Sequence, residues 1–223
     1  VLDAMTYAAS PVTVAELNSA SGCQVVVGKI ENQELVVSLL EKWKPSALVN
    51  LAAESHVDRS IDGPGTSMYT NSIGVFELLE AVRKCQTHLA DGFRFVQVST
   101  DEVYGSISNG QFTEHSPYAP RSPYSASKAS GDHIARAYHH TYEIPTIITN
   151  CSNNFGPYQF PEKLVPLTIL NALEKRPIAV YGDGQHMRDW IHVEDHASAL
   201  VKVIAEGRAG ETYPVSYTHL RAH

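Results

Sequence analysis

A chain of 223 residues with 43% hydrophobic and 18% charged side chains is long enough to bury a sizeable core and has the composition of an ordinary globular protein. Its 17 Lys and Arg against 24 Asp and Glu leave a formal charge of −7, which argues against a nucleic-acid surface because phosphate binding draws on clustered cations. No apolar run approaches the roughly 18–20 residues of a membrane span, and Cys23, Cys85 and Cys151 are too far apart for a disulfide framework or a C-x-x-C metal site, so the expectation is no metal and a reducing, cytoplasmic compartment.

In chain order, Val1-Leu2-Asp3 reads as the end of a strand whose earlier part lies outside the sequence, and residues 24–27 as a second strand. Residues 32–44 have helical spacing, with Leu35, Leu39, Leu40 and Trp43 on one face, and Pro45 ends them. Residues 47–52 form an apolar run fit for a buried strand. Residues 70–84 are helical with Val75, Leu78, Leu79 and Val82 inward, and residues 93–98 are the next strand. A long helix is expected over 122–142, a strand over 146–149, helices over 164–175 and 194–205, and the start of a strand over 210–213. Residues 216–223 have no periodicity and read as either a foreign tail or a natural polar one. Strand–helix alternation of this kind predicts an α/β fold, a Rossmann-like doubly wound parallel sheet.

Ligands of such sheets sit at the carboxyl ends of the strands. Four expected strand ends carry polar groups: Asp3, Glu54-Ser55-His56, Ser99-Thr100-Asp101-Glu102 and Cys151-Ser152-Asn153-Asn154. A carboxylate at Asp3 can accept from ribose hydroxyls and repel a 2′-phosphate, favouring NAD over NADP; it can equally be a turn residue. The glycine-rich turn expected to precede it is not in the sequence. Tyr124-Ser125-Ala126-Ser127-Lys128 sets a phenol and an ammonium on one helix face, where the charge favours phenolate and lowers the Tyr pKa. Asp101-Glu102 offers a second acid–base step, or is a solvated loop pair.

These residues resemble the extended short-chain dehydrogenase/reductase family and, within it, the nucleotide-sugar 4,6-dehydratases. The matching stretches are residues 3–8, 51–61, 99–105, 122–131 and 153–164, then Tyr181-Gly182-Asp183-Gly184, Arg188-Asp189-Trp190 and Val193-Glu194-Asp195-His196. The resemblance reaches about Val215. Its most specific element is Thr100-Asp101-Glu102-Val103-Tyr104-Gly105, because sister epimerases and decarboxylases lack the acidic pair.

The resemblance implies a closed redox cycle on dTDP-glucose with NAD as cofactor. Tyr124 takes the C4 hydroxyl proton as hydride passes to NAD, Thr100 bonds that oxygen, and Lys128 holds the nicotinamide ribose. Glu102 then removes the C5 proton, Asp101 protonates the departing C6 hydroxyl, and hydride returns to C6. Such a pair of carboxylates needs surroundings that drive their pKa values apart. Implied cofactor contacts are Asp3, Thr6, Ile30, Leu51, Ala52, Ala53, Glu54, Ser55, Thr70, Tyr124, Lys128 and Asn154. Implied substrate contacts are Ser55, Thr100, Asn153, Lys163, Leu164, Ala179, Val180, Tyr181 and Arg188, the last facing a diphosphate unless it pairs with Asp189 or Asp195. The same resemblance divides the chain into a dinucleotide-binding part (1–152, without first strand and glycine turn), a part of a smaller substrate lobe with final sheet elements (153–215), and the tail. It implies a homodimer through the helices around 70–84 and 122–142, and an inactive chain at this length. Lys29 stands where the family usually has Asp before Ile30. The alternatives are a nucleotide-sugar 4-epimerase or decarboxylase, or a non-catalytic dinucleotide-sensing protein of the same fold.

Overall fold

The computed structural model describes residues 1–107, 110–180, 183–184 and 187–216. In order they form β1 (Leu2–Asp3), α1 (Pro11–Ser19), β2 (Val26–Val27), α2 (Gln33–Trp43), β3 (Ala47–Asn50), α3 (Val57–Asp62), α4 (Pro64–Met68) and, after a π turn at Tyr69–Ile73, α5 (Gly74–Cys85). Then come β4 (Arg94–Thr100), a 3-10 turn at Asp101–Tyr104, α6 (Pro123–Tyr142), β5 (Thr146–Cys151), β6 (Asn153–Phe155), α7 (Leu164–Leu173), β7 (Trp190–His192), α8 (Val193–Glu206) and β8 (Thr212–Val215). Every strand pair is parallel: β3-β4-β5-β8 form the main sheet, with β1-β2 and β6-β7 as two smaller ones. The expected α/β architecture is present.

The sheet is buried on both faces, and β4 supplies apolar side chains to each: Phe95 to one, Val96 and Val98 to the other. Phe95 and Ile148 pack with Leu40, Val75, Leu79 and Val82 from α2 and α5 on one side. Val96, Val98 and Ile147 pack with Leu200 and Val203 of α8 on the other. This is why a continuous apolar run, rather than an alternating one, marks the central strands.

Local chemistry sets the boundaries. Asn32 caps α2 by accepting from Leu35 N, and Ser122 caps α6 in a reciprocal pair with Ser125. The strand expected over 47–52 stops at Asn50, because the Asn50 side chain accepts from Ala52 N (3.2 Å) and turns the chain out of the sheet. The strand of residues 24–27 shortens to Val26–Val27, and the helix of residues 164–175 ends at Leu173. On α2 the buried pair is Val36 and Leu40; Trp43 lies 54% exposed, capped by Lys42, instead of facing the core. The helix expected to start at residue 70 begins at Pro64 and passes through the π turn. α7 has no buried residue, although it is apolar almost throughout. No helix among the described residues is long and apolar enough to cross a membrane.

Gly131 shows how closely α6 packs on that π turn. A Cβ there would sit 2.6 Å from the Asn71 carbonyl oxygen, which is backbone and cannot swing aside. Gly131→Val is therefore expected to destabilise the fold by about 1–3 kcal/mol, the usual range for overpacking. A urea unfolding midpoint unchanged by this substitution would contradict the contact.

Candidate active site

The carboxyl end of β4, the first turn of α6 and the end of β5 meet at one point. Thr100 closes β4 and caps the 3-10 turn: its hydroxyl accepts from Glu102 N (3.2 Å) and donates to Asp101 Oδ1 (3.3 Å). The turn ends at Gly105, whose φ of +87° and 2.5 Å approach to the Ala119 carbonyl leave no room for a side chain. Tyr124 enters from α6, with its backbone N–H donating to Ser60 Oγ (3.2 Å) on α3. Cys151, at the end of β5, donates to Ser99 O (3.3 Å). Two strand ends and a helix start thus gather Thr100, Asp101, Glu102, Tyr124, Lys128 and Cys151, of which the sequence reading had all but Cys151 in a chemical role.

Burial raises the Tyr124 phenol above its ordinary range; Glu102, Cys151 and Asp101 push the same way, and a hydrogen bond with Thr100 opposes them. The expected lowering by Lys128 is not what this structure contains. The Lys128 ammonium instead donates to Val98 O (2.7 Å), and burial lowers its own pKa against the pull of Asp132 and Cys151.

The two acidic neighbours differ in their surroundings. Asp101 is pushed up to about 6 by burial and by Glu102 and Asp189, against a bond from Thr100 and the charge of Arg188. Glu102 is also raised by burial, but the charges facing it are cations, Arg188 and Lys163. One carboxyl therefore looks mainly at anions and the other at cations, the asymmetry that separates an acid from a base.

The nearby loop after β3 is pinned by a residue the sequence reading passed over. Asn71, in the π turn, accepts from Glu54 N (2.9 Å) and donates to Glu54 O (3.0 Å) and Ser127 Oγ (2.9 Å). The sequence offered little signal for it, because Asn71 falls at the start of the helix expected over 70–84, where an Asn is ordinary. A cleft of about 250 Å³ beside this loop is lined by Thr6, Tyr7, Ala53, Glu54, Ser55, Phe160, Glu162 and Lys163. Lys163 Nζ donates to Ser55 O (2.9 Å) across it. Glu162 accepts from Tyr7 OH (3.0 Å), and the Arg59 guanidinium lies over the Tyr7 ring; neither Glu162 nor Arg59 carried any sequence signal for that role.

The remaining expected contacts scatter. Asp3 is exposed at the end of β1 and accepts from Met5 N (2.7 Å), the geometry of a turn Asp. Leu51 is exposed, and Ala52 half-buried. Ile30 is a core residue packed on Gly74, because its side chain fills the space between α2 and α5. Thr70 donates to Glu31 (3.0 Å). The Asn154 amide is engaged by His196 (2.7 Å) and Ser152 O (3.0 Å), while Asn153 is half-buried in β6. Leu164, Ala179 and Val180 are exposed. Tyr181 and residues 217–223 lie outside the described residues. Arg188 is exposed, donates to Met187 O (3.0 Å) and makes no carboxylate pair among the described residues, so the alternative pairing with Asp189 or Asp195 is not formed.

The family profile described as GDP-mannose 4,6 dehydratase matches residues 4–219. The chain belongs to that family. Among members of known annotation, a dTDP-glucose 4,6-dehydratase from Xanthomonas campestris pv. campestris (strain B100) is 55% identical over 96% of this chain and 62% of its own length. A dTDP-glucose 4,6-dehydratase from Streptomyces venezuelae, solved with NAD bound, superposes with a TM-score of 0.90 at 46% identity, covering 96% of this chain and 65% of that one. The enzyme of the same description from Bacillus anthracis str. Ames, in complex with NAD, gives a TM-score of 0.87 at 46% identity, covering 98% and 66%. The chain thus spans less than two thirds of the length of these dehydratase-family relatives.

Proposed function

We propose that the protein of which this chain is part dehydrates dTDP-glucose to the 4-keto-6-deoxy sugar nucleotide, with NAD as a cofactor regenerated in each turnover. The observation that carries this reading is the unequal pair Asp101 and Glu102 beside the buried Tyr124 hydroxyl. A 4-epimerase needs no base at C5, so such a pair has no elimination to perform in one. The dehydratase names of relatives at 46–55% identity support the same choice of substrate.

The residues fit the cofactor. Asp3 is exposed at the carboxyl end of β1, the Asn71-pinned loop lines an open cleft at the end of β3, and Lys128 brings a buried ammonium to the end of β4. Bound there, NAD supplies a hydride acceptor for C4 and the same hydride for C6. The Tyr124 phenol, which burial holds protonated, must first ionise; as the phenolate its Oη takes the C4 hydroxyl proton, with Thr100 Oγ1 hydrogen-bonding the same oxygen. Oxidation at C4 acidifies the C5 proton, and Glu102, whose carboxyl burial raises while Arg188 and Lys163 favour its charged form, removes it. Asp101, whose carboxyl burial and anionic neighbours raise to about 6, gives its proton to the C6 hydroxyl as water leaves. Arg188, without a carboxylate partner among the described residues, suits a diphosphate by charge.

On this reading residues 1–152 form the dinucleotide side and 153–215 the sugar side. Met68, Tyr69, Ile73 and Phe76 leave an apolar face exposed along the helices of 64–85, which supports a homodimer there. The three cysteines are free, in keeping with a cytoplasmic setting.

The direct test is the protein at its relatives' full length, with NAD and dTDP-glucose, its product read by NMR. A 4-keto-6-deoxy product supports the reading, and a C4 epimer with the C6 hydroxyl retained overturns it. The acid assignment adds a pH signature. The Asp101 carboxyl is protonated below about 6, so the fraction able to donate falls as pH rises through that value. The elimination step in single turnover should slow above pH about 6, and Asp101→Asn should abolish that limb along with most of the rate. A wild-type profile that is flat from about pH 5 to about pH 8 would assign the proton to another group.

A further inference from the structure

Asp132 lies one turn beyond Lys128 on α6 and is completely buried, at 0% exposure. One oxygen, Oδ2, accepts from Ser99 Oγ (2.7 Å) and Tyr118 OH (2.9 Å), with the Asn150 amide at 3.5 Å. The other oxygen, Oδ1, accepts from nothing among the described residues. The hydroxyl of Tyr118 is itself bonded by Arg136 (2.8 Å), one further turn along the same helix, and Arg136 reaches Thr212 on β8 (3.1 Å). Asn150 is held by Tyr104 OH (3.1 Å). The 3-10 turn, α6, β4, β5 and β8 thus close around one carboxyl.

A neutral amide could make the same bonds to Ser99 and Tyr118. A carboxylate buried with one oxygen empty is expensive to keep unless a charge faces it. Lys128 has the converse problem: its ammonium is buried with a single hydrogen bond among the described residues, to Val98 O, where desolvation favours loss of the proton. The groups acting on Lys128 are Asp132 from its own helix and Cys151 from β5. Those acting on Asp132 are Lys128 and Arg136 from α6, Ser99 from β4 and Tyr118 from the preceding loop.

We infer that Asp132 is a positioning residue for Lys128: its buried carboxylate keeps that side chain an ammonium at the carboxyl end of β4. The consequence for cofactor reduction rests on the proposed function, whereas the effect on Lys128 does not. The arrangement works against stability. The Asp132 carboxyl sits at about 6, above its unfolded value, so its contribution is favourable at low pH and is lost as pH rises through about 6.

The test uses the full-length protein with lysine 13Cε labels, following the Lys128 signal against pH by NMR. Asp132→Asn should move the Lys128 midpoint down by at least one pH unit, about tenfold in proton affinity, while unfolding at pH 8 is no easier than in wild type. Ser99→Ala, which disturbs the same network and keeps the charge, should leave the midpoint near its wild-type position. If Asp132→Asn does not fold, Asp132→Ser, smaller and still able to bond a neighbouring hydroxyl, replaces it with the same expectation. An unmoved Lys128 midpoint in the folded variant overturns the inference, as does an equal shift in Ser99→Ala. In single turnover with dTDP-glucose, the alkaline limb of NAD reduction should move down with Lys128. If the wild-type protein reduces no NAD at all, the proposed function fails, and the lysine titration still decides the role of Asp132.

Discussion

Glu102→Gln in the full-length protein should stop the reaction halfway and leave reduced nicotinamide visible on the enzyme. Gln keeps the size of Glu and its hydrogen bonding to the sugar, but it cannot take a proton. Oxidation at C4 requires Tyr124, Thr100 and NAD; removal of the C5 proton requires the base. Overall turnover should fall by roughly 10²–10⁴-fold, the common worth of a positioned general base. The absorbance of reduced cofactor should rise on mixing with dTDP-glucose to a level near the enzyme concentration and then persist. If no reduced cofactor forms, Glu102 belongs to the oxidation step, and the division of labour proposed for the acidic pair is wrong.

Tyr124→Phe should give the opposite signature. The ring is buried and its backbone is tied to Ser60, so Phe fits the same space and the fold should survive. What disappears is the oxygen that receives the C4 proton. Reduction of bound cofactor should slow by roughly 10²–10⁴-fold, and no absorbance should accumulate in either the single variant or the Tyr124→Phe, Glu102→Gln double variant. The double variant matters because it orders the steps: silence there, with a signal in Glu102→Gln alone, puts Tyr124 first. Rapid cofactor reduction by Tyr124→Phe would mean that Thr100 or water takes the proton.

The strands and helices were readable from periodicity because both faces of the sheet are covered. Val75, Leu78, Leu79 and Val82 had to be inward on α5, and they are. Trp43 was misjudged because helical spacing identifies a face and not its limits; the last turn of α2 has already left the core. The acidic pair and the Tyr124–Lys128 spacing were visible because they are adjacent in sequence. Asn71, Glu162 and Asp132 were not, since their partners lie 17, 155 and 33 residues away and only the fold brings them together. The state of Tyr124 was hidden for a related reason. Spacing reports which groups share a helix face, but burial and the carboxyl groups arriving from β4 decide which protonation state that face favours.

The Asn71 side chain has consequences for how errors of position spread. Its amide uses both hydrogens and its oxygen on two different segments, the loop at Glu54 and the first turns of α6 at Ser127. Ser127 is in turn bonded to the Tyr124 carbonyl (2.7 Å). The loop that lines the cleft and the turn that carries the phenol are therefore linked through one amide, so a change at Asn71 bears on the wall of the cleft and on the support of the Tyr124 oxygen at once.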